Sequence, residues 1–184
     1  KMDDHGHPEI ILAHHPRDTI ELTGNWDVLG LRATGSFDYT VVGGEVFVPA
    51  AQCYPFDGAV VQRGDQRYST GLVGLTTWGH TGWALGVGRR ALDELVQLTH
   101  ERTDVFGPLH SRPSIQQAFA DAEAKYRSAR ALIYNAWDDM AETHARGERE
   151  TLEQIALIRL AMRHIHNVIS EITTFAHRAT RGAS

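Results

Sequence analysis

Residues 115–140 read IQQAFADAEAKYRSARALIYNAWDDM. Within them Ile115, Phe119, Ala122, Tyr126, Ala129, Ile133, Ala136 and Met140 follow one another in alternating steps of four and three. That is the spacing of one stripe on an α-helix, so the segment predicts a long amphipathic helix. Pro113 stands near its start, where a missing N–H costs little. Gly147 closes the connection after it. Further on, Ile158, Met162, Ile165, Ile169, Ile172 and Ala176 repeat the alternation. Two stripes of this kind bury each other by lying side by side, which predicts near-antiparallel neighbours in a bundle.

Working outward, residues 71–102 predict a third helix, in which Leu72, Leu75, Trp78, Leu85, Leu92 and Leu95 alternate with Gly71, Gly74, Gly79, Gly82, Gly86 and Gly88. Each interior glycine costs a helix about 0.8–1 kcal/mol against alanine. Six together call for a physical use. The first reading is tight helix–helix packing; the second is the close approach of a flat ligand. Before this helix the period changes. Glu9 to Leu12, Thr19 to Leu22, Phe37 to Val42 and Val46 to Val48 read as strands, with Gly43-Gly44 between the last two and Pro49 ending the sheet. Pro55, Gly58 and Gly64 mark the following stretch as a connection. The expected organisation is strands over 1–50, a linker over 51–70 and a helical bundle over 71–184.

A chain of 184 residues holds one domain or two small pieces. With 42% apolar and 22% charged residues it is ordinary globular material. The lone Cys53 excludes an internal disulfide framework and a multi-cysteine zinc site. Lys and Arg number 18 against 23 Asp and Glu, so 18 − 23 gives a net charge of −5. This balance argues against nucleic-acid binding and against a basic membrane-binding surface. No apolar run approaches the roughly 18 residues of a membrane span. The opening, Lys1 to Pro8, is polar and lacks the apolar core of a signal peptide. A cytoplasmic location and a truncated piece of a longer protein are the expectations.

Eleven histidines raise the question of a metal. His14 and His15 are neighbours near a strand end and point to opposite faces. His164 and His166 are two apart on a helix and do not share a face. No His-Glu-x-x-His pattern occurs, so solvated histidines are the reading and no metal site is expected. Nor is there a dinucleotide-binding glycine fingerprint, a Walker loop or a Gly-x-Ser-x-Gly elbow.

Three blocks carry a family resemblance. Trp26-Asp27-Val28-Leu29-Gly30-Leu31-Arg32-Ala33-Thr34-Gly35-Ser36, followed by Val46-Phe47-Val48-Pro49, resembles the end of the β domain of acyl-CoA dehydrogenase-like flavoproteins. Ala84-Leu85-Gly86-Val87-Gly88-Arg89-Arg90-Ala91-Leu92-Asp93 resembles the first helix of their C-terminal bundle, and Gln116 through Leu132 the second. The blocks occur in family order over about 25–180. The first is most similar to the branch that includes reduced-flavin-dependent monooxygenases. The resemblance implies an α+β fragment: the end of a β-barrel domain followed by an up-down helical bundle. It also implies FAD or FMN as cofactor and self-association as a dimer or tetramer.

The same resemblance implies site residues. An arginine at the end of the first bundle helix pairs with the flavin pyrophosphate held by a neighbouring subunit, and Arg102 falls there. A guanidinium presents a planar fork of donors to phosphate. Read without the family, Arg102 is a solvated cation favourable at a helix C-terminus. Phe106 resembles the phenylalanine that follows, one residue further on than usual; it is read first as a loop anchor and second as a cofactor contact. Many relatives place a glutamine for the pyrophosphate where Pro113 stands here, and proline has no donor. A minority carry the catalytic base early in the first bundle helix, where Thr76 cannot serve; Asp65 upstream is a weak substitute. No catalytic base is named in this chain. A monooxygenase pocket that shelters the activated flavin could use Ser36, Trp78 and His80, each of which is more simply structural.

The expected function is the C-terminal portion of a flavin-dependent acyl-CoA dehydrogenase-like oxidoreductase, the fragment being inactive alone. Its reaction is α,β-dehydrogenation of an acyl-CoA thioester, with a carboxylate removing the α-proton and hydride passing to flavin. The alternatives are a reduced-flavin-dependent monooxygenase of the same fold acting on an aromatic compound, and a non-catalytic helical oligomerisation module.

Overall fold

A computed structural model describes residues 10–56, 63, 64, 68 and 70–180. The chain divides into two compact units, Lys1–Ala59 and Val60–Ser184.

Among its described residues the first unit holds four strands of three residues: β1 (Ile11–Ala13), β2 (Ile20–Leu22), β3 (Tyr39–Val41) and β4 (Cys53–Pro55). β1 pairs antiparallel with β4, Leu12 opposite Tyr54; β2 pairs antiparallel with β3, Glu21 opposite Thr40. The expected strands are therefore shorter than the apolar runs, and one is missing. Val46 to Val48 makes no ladder among the described residues, and Phe47 stays 85% exposed. A β-branched run becomes a strand only where a neighbour offers its edge. Conversely β4 lies inside the stretch read as a linker, because β1 supplies it with a partner.

Between β2 and β3 the loop 26–36 is held from one point. The Leu31 carbonyl accepts from Trp26 Nε1 (3.2 Å), Thr34 N (3.1 Å) and Thr34 Oγ1 (2.8 Å). Leu31 has φ +58°, the one non-glycine residue described in the left-handed region. Three donors on one carbonyl offset the strain of that conformation.

The second unit is built from α1 (Gly71–Glu101), α2 (Pro113–Ala145) and α3 (Leu152–Thr180). Cross-helix contacts fix their directions. Lys125 meets Glu171 and Asp139 meets Gln154, so α2 and α3 are antiparallel. Gly88 lies against Ile169 and Arg102 reaches Thr180, so α1 and α3 run the same way. Leu92, Ala129, Ile133, Ile165 and Ile172, from all three helices, are at most 3% exposed in one core. Ala122, Tyr126, Ala129 and Ile133 of the first predicted stripe and Ile165, Ile169 and Ile172 of the second face it, while Ala136, Met140 and Ile158 form a second cluster.

The α2–α3 turn is closed by backbone geometry. Gly147 (φ +75°) ends α2, its N–H donating to His144 O (2.9 Å) while Glu148 N–H reaches Thr143 O (3.3 Å). That crossed pair satisfies carbonyls the helix end leaves over. At the start of α3, Thr151 and Gln154 cap each other: Gln154 N donates to Thr151 Oγ1 (3.2 Å) and Thr151 N to Gln154 Oε1 (3.0 Å). A turn pinned at both ends sets the antiparallel pairing.

The glycines of α1 divide. A Cβ at Gly88 would sit 3.0 Å from Ile169 Cγ2 and 3.1 Å from Tyr126 ring atoms, so tight packing holds there. At Gly79, Gly82 and Gly86 a Cβ would meet nothing within 4 Å, and these positions are exposed. The packing reading fails for those three.

Candidate functional site

The C-terminal end of α1 carries the residues the sequence singled out. Arg102 ends the helix in extended backbone (φ −104°, ψ 133°) and leads into the hairpin β5 (Thr103–Asp104) and β6 (Gly107–Pro108). It is not the fully solvated cation of the simpler reading. It is half-buried, and its Nη1 donates to Thr180 O (2.8 Å) at the C-terminus of α3. A cation there also meets the negative end of the helix dipole. Among the described residues its other guanidinium nitrogens have no hydrogen-bond partner.

Phe106 is at the hairpin tip and 84% exposed, beside Val105 at 92%. It packs into no core, which corrects its reading as a loop anchor. The Arg112 guanidinium lies 5.9 Å from its ring centroid. What holds the hairpin is Asp104, which pairs with Arg112 and accepts from Phe106 N (2.9 Å). Those two bonds, the Arg112 one first, keep the Asp104 carboxyl below the usual carboxylate range. Beside them His100 and His110 stack at 4.2 Å, and Nδ1 of His110 and Nε of Arg112 are buried with no partner. Arg112 and Asp104 escaped the sequence reading because their pairing runs across a hairpin that only the fold creates.

Within the second unit Trp78 and His80 do not face the same way. Trp78 packs at a tilt against Trp137 of α2 at 4.5 Å, while His80 meets His166 of α3 at 5.9 Å. Two residues apart on a helix are about 200° apart around it. Trp78, with Tyr68, Thr70 and Leu75, lines an open cavity of about 220 Å³. Ser36 belongs to the first unit, exposed, 3.5 Å from Thr34 Oγ1. Thr76 is on the exposed side of α1, and Asp65 lies outside the described residues. Pro113 is the first residue of α2. Gln116, one turn later, donates to His110 O (3.0 Å) instead. Among the described residues no three His, Cys, Asp or Glu side chains converge as a metal would require.

Behind these groups a polar chain joins α1 to α2. Arg89 binds both oxygens of Glu123 (2.9 and 3.1 Å) and also Asp93, and Arg127 adds a bond to Glu123. Burial pushes the Glu123 carboxyl up, but the bonds from Arg89 and Arg127 outweigh it and hold the group low. Tyr126 donates its hydroxyl to Leu85 O (3.0 Å), and burial pushes that phenol up.

The family model "acyl-CoA dehydrogenase, C-terminal domain" matches residues 78–184. The chain belongs to the acyl-CoA dehydrogenase family. Its three helices match that family's C-terminal helical domain, as the sequence predicted. Among curated proteins, the indole-3-acetate monooxygenase of Pseudomonas putida is 31% identical over 171 residues, 90% of this chain. That of Acinetobacter baumannii is 28% identical over 170 residues, 91% of this chain. The chain spans 42% of the length of each. Among solved structures, the 3-HSA hydroxylase of Rhodococcus sp. RHA1 superposes with a TM-score of 0.76 at 18% identity, covering 98% of this chain and 48% of that one. XiaF from Streptomyces sp., in complex with FADH2 and glycerol, gives 0.74 at 15%, covering 96% and 47%. These two likenesses establish the fold. Among the described residues no helix is long and apolar enough to cross a membrane.

Proposed function

We propose that the whole protein is a reduced-flavin-dependent monooxygenase of aromatic compounds, to which this chain contributes the end of the β domain and the first helices of the bundle. The observation that carries this reading is the likeness, over 90% of the chain, to an indole-3-acetate monooxygenase at 31% identity. It displaces acyl-CoA dehydrogenation as the main reading.

The residues at the end of α1 fit a flavin's pyrophosphate. Arg102 is anchored through one nitrogen to Thr180 and keeps its remaining donors, and Arg112 Nε is unspent. A guanidinium fixed on one side offers the other without further loss of rotamer freedom. On this reading Arg102 binds the pyrophosphate of FAD, or the single phosphate of FMN, seated in a neighbouring subunit, with Phe106 beside it. The exposed Val105 and Phe106 fit burial in such an assembly of two or four copies. What bound FAD or FMN would supply is the reducing power for dioxygen.

The test supplies the full-length protein with reduced FMN or FAD, dioxygen and indole-3-acetate. Mass spectrometry should show a product gaining one oxygen atom, and octanoyl-CoA should not bleach the oxidised flavin anaerobically. Bleaching by the thioester without oxygenation of the aromatic, or no flavin binding at all, overturns the proposal.

A further inference from the structure

Away from the hairpin, one facet of the bundle holds polar ring atoms with no hydrogen-bond partner among the described residues. His166 lies part-buried on α3, and its Nδ1 is 2.7 Å from Met162 O. A carbonyl only accepts, so Nδ1 carries the proton and Nε2 of the neutral ring is an acceptor. Among the described residues nothing bonds Nε2. Trp83, 59% exposed, stacks on this imidazole at 5.9 Å and 26°. His80 closes the group from α1 at 5.9 Å. Neither the Trp83 indole N–H nor the His80 ring has a hydrogen-bond partner among the described residues. Trp83 and His80 are three apart and share a helix face.

A solvent-facing tryptophan held against an oriented imidazole is costly to leave bare and well suited to a flat ring. Aromatic faces pair in offset or tilted stacks, and a ring bearing N–H or O–H finds the acceptor it needs at Nε2. Several polar groups of the bundle are spent by contrast: Arg89 on Glu123, Tyr126 on Leu85, Gln154 on Asp139 and Thr143.

We propose that Trp83, His80 and His166 form the platform that seats the aromatic substrate, its ring against Trp83 and its ring N–H or hydroxyl donating to His166 Nε2. The inference rests on the monooxygenase reading for what the ligand is, and names the residues that choose it. His166 is a specificity group: the tautomer set by Met162 makes it discriminate for a donor on the ring.

The experiment measures binding of indole and of 1-methylindole to the full-length protein by calorimetry, with turnover followed in parallel using supplied reduced flavin. Wild type should prefer indole, because methylation removes the donor. His166→Phe keeps an aromatic ring and should abolish that preference, while Trp83→Ala should weaken both ligands about fivefold or more. Reduced-flavin affinity and the thermal midpoint should be unchanged in His166→Phe, which separates ligand contact from a structural role. An unchanged preference in His166→Phe, unchanged binding in Trp83→Ala, or no binding of either ring by a wild type that still oxygenates aromatics, overturns the platform alone. Failure to bind flavin overturns the monooxygenase reading, and the indole titrations still decide the platform.

Discussion

Gly88→Ala and Gly82→Ala are the same chemical change in the same helix, and they should act in opposite directions. Both gain the helix propensity of alanine over glycine, about 0.8–1 kcal/mol. At Gly82 the new methyl meets nothing within 4 Å, so that gain stands. At Gly88 it would lie 3.0 Å from Ile169 Cγ2 and 3.1 Å from Tyr126 Cδ2 and Cε2. Neither neighbour is free to give way. Tyr126 is tethered by its hydroxyl to Leu85 O and covered by the Arg89 guanidinium at 5.4 Å, and Ile169 is 6% exposed. Overpacking of such a site costs about 1–3 kcal/mol. Net of propensity, Gly88→Ala loses up to about 2 kcal/mol, and the two variants differ by about 1–3 kcal/mol because the propensity gain cancels between them. Urea unfolding followed by circular dichroism reads this as midpoints moving in opposite directions at constant slope. Equal stabilisation of both variants would refute the claim that α1 and α3 touch through Gly88.

Glu123→Gln should flatten the acid limb of stability. Glu123 is held below its ordinary value in the fold, so its contribution is complete above the unfolded value and fades as pH falls through the folded one; urea midpoints at pH 7 and in the acid range should converge in the variant. Gln154→Ala removes a 9% exposed amide that serves Asp139, Thr143 and Thr151, and should cost about 1–3 kcal/mol in the same assay. Arg102→Ala should both speed amide exchange in the last turn of α3, where Thr180 loses its donor, and weaken reduced-flavin binding by the full-length protein. Flavin affinity unchanged in that variant would remove Arg102 from the cofactor site.

Periodicity alone determined the helical half. The stripes from Ile115 to Met140 and from Ile158 to Ala176 specify their buried faces locally, because a helix satisfies its own backbone and leaves only one side to be covered. Pro113 and Gly147 mark helix ends for equally local reasons. The family blocks were legible for the same cause: they are contiguous.

What the tertiary structure decided were relations between residues far apart in the chain. Strands need an edge from elsewhere, so Val46 to Val48 failed as a strand and Cys53 to Pro55 succeeded. Six glycines look alike in sequence, yet a neighbour stands over Gly88 and none over Gly82. Trp78 and His80, two apart in the sequence, were parted to opposite flanks of α1, and His166 entered the group only when α3 was laid beside it. The physical reason is that a helix dictates which way its own side chains point, whereas what they meet depends on where the rest of the chain packs.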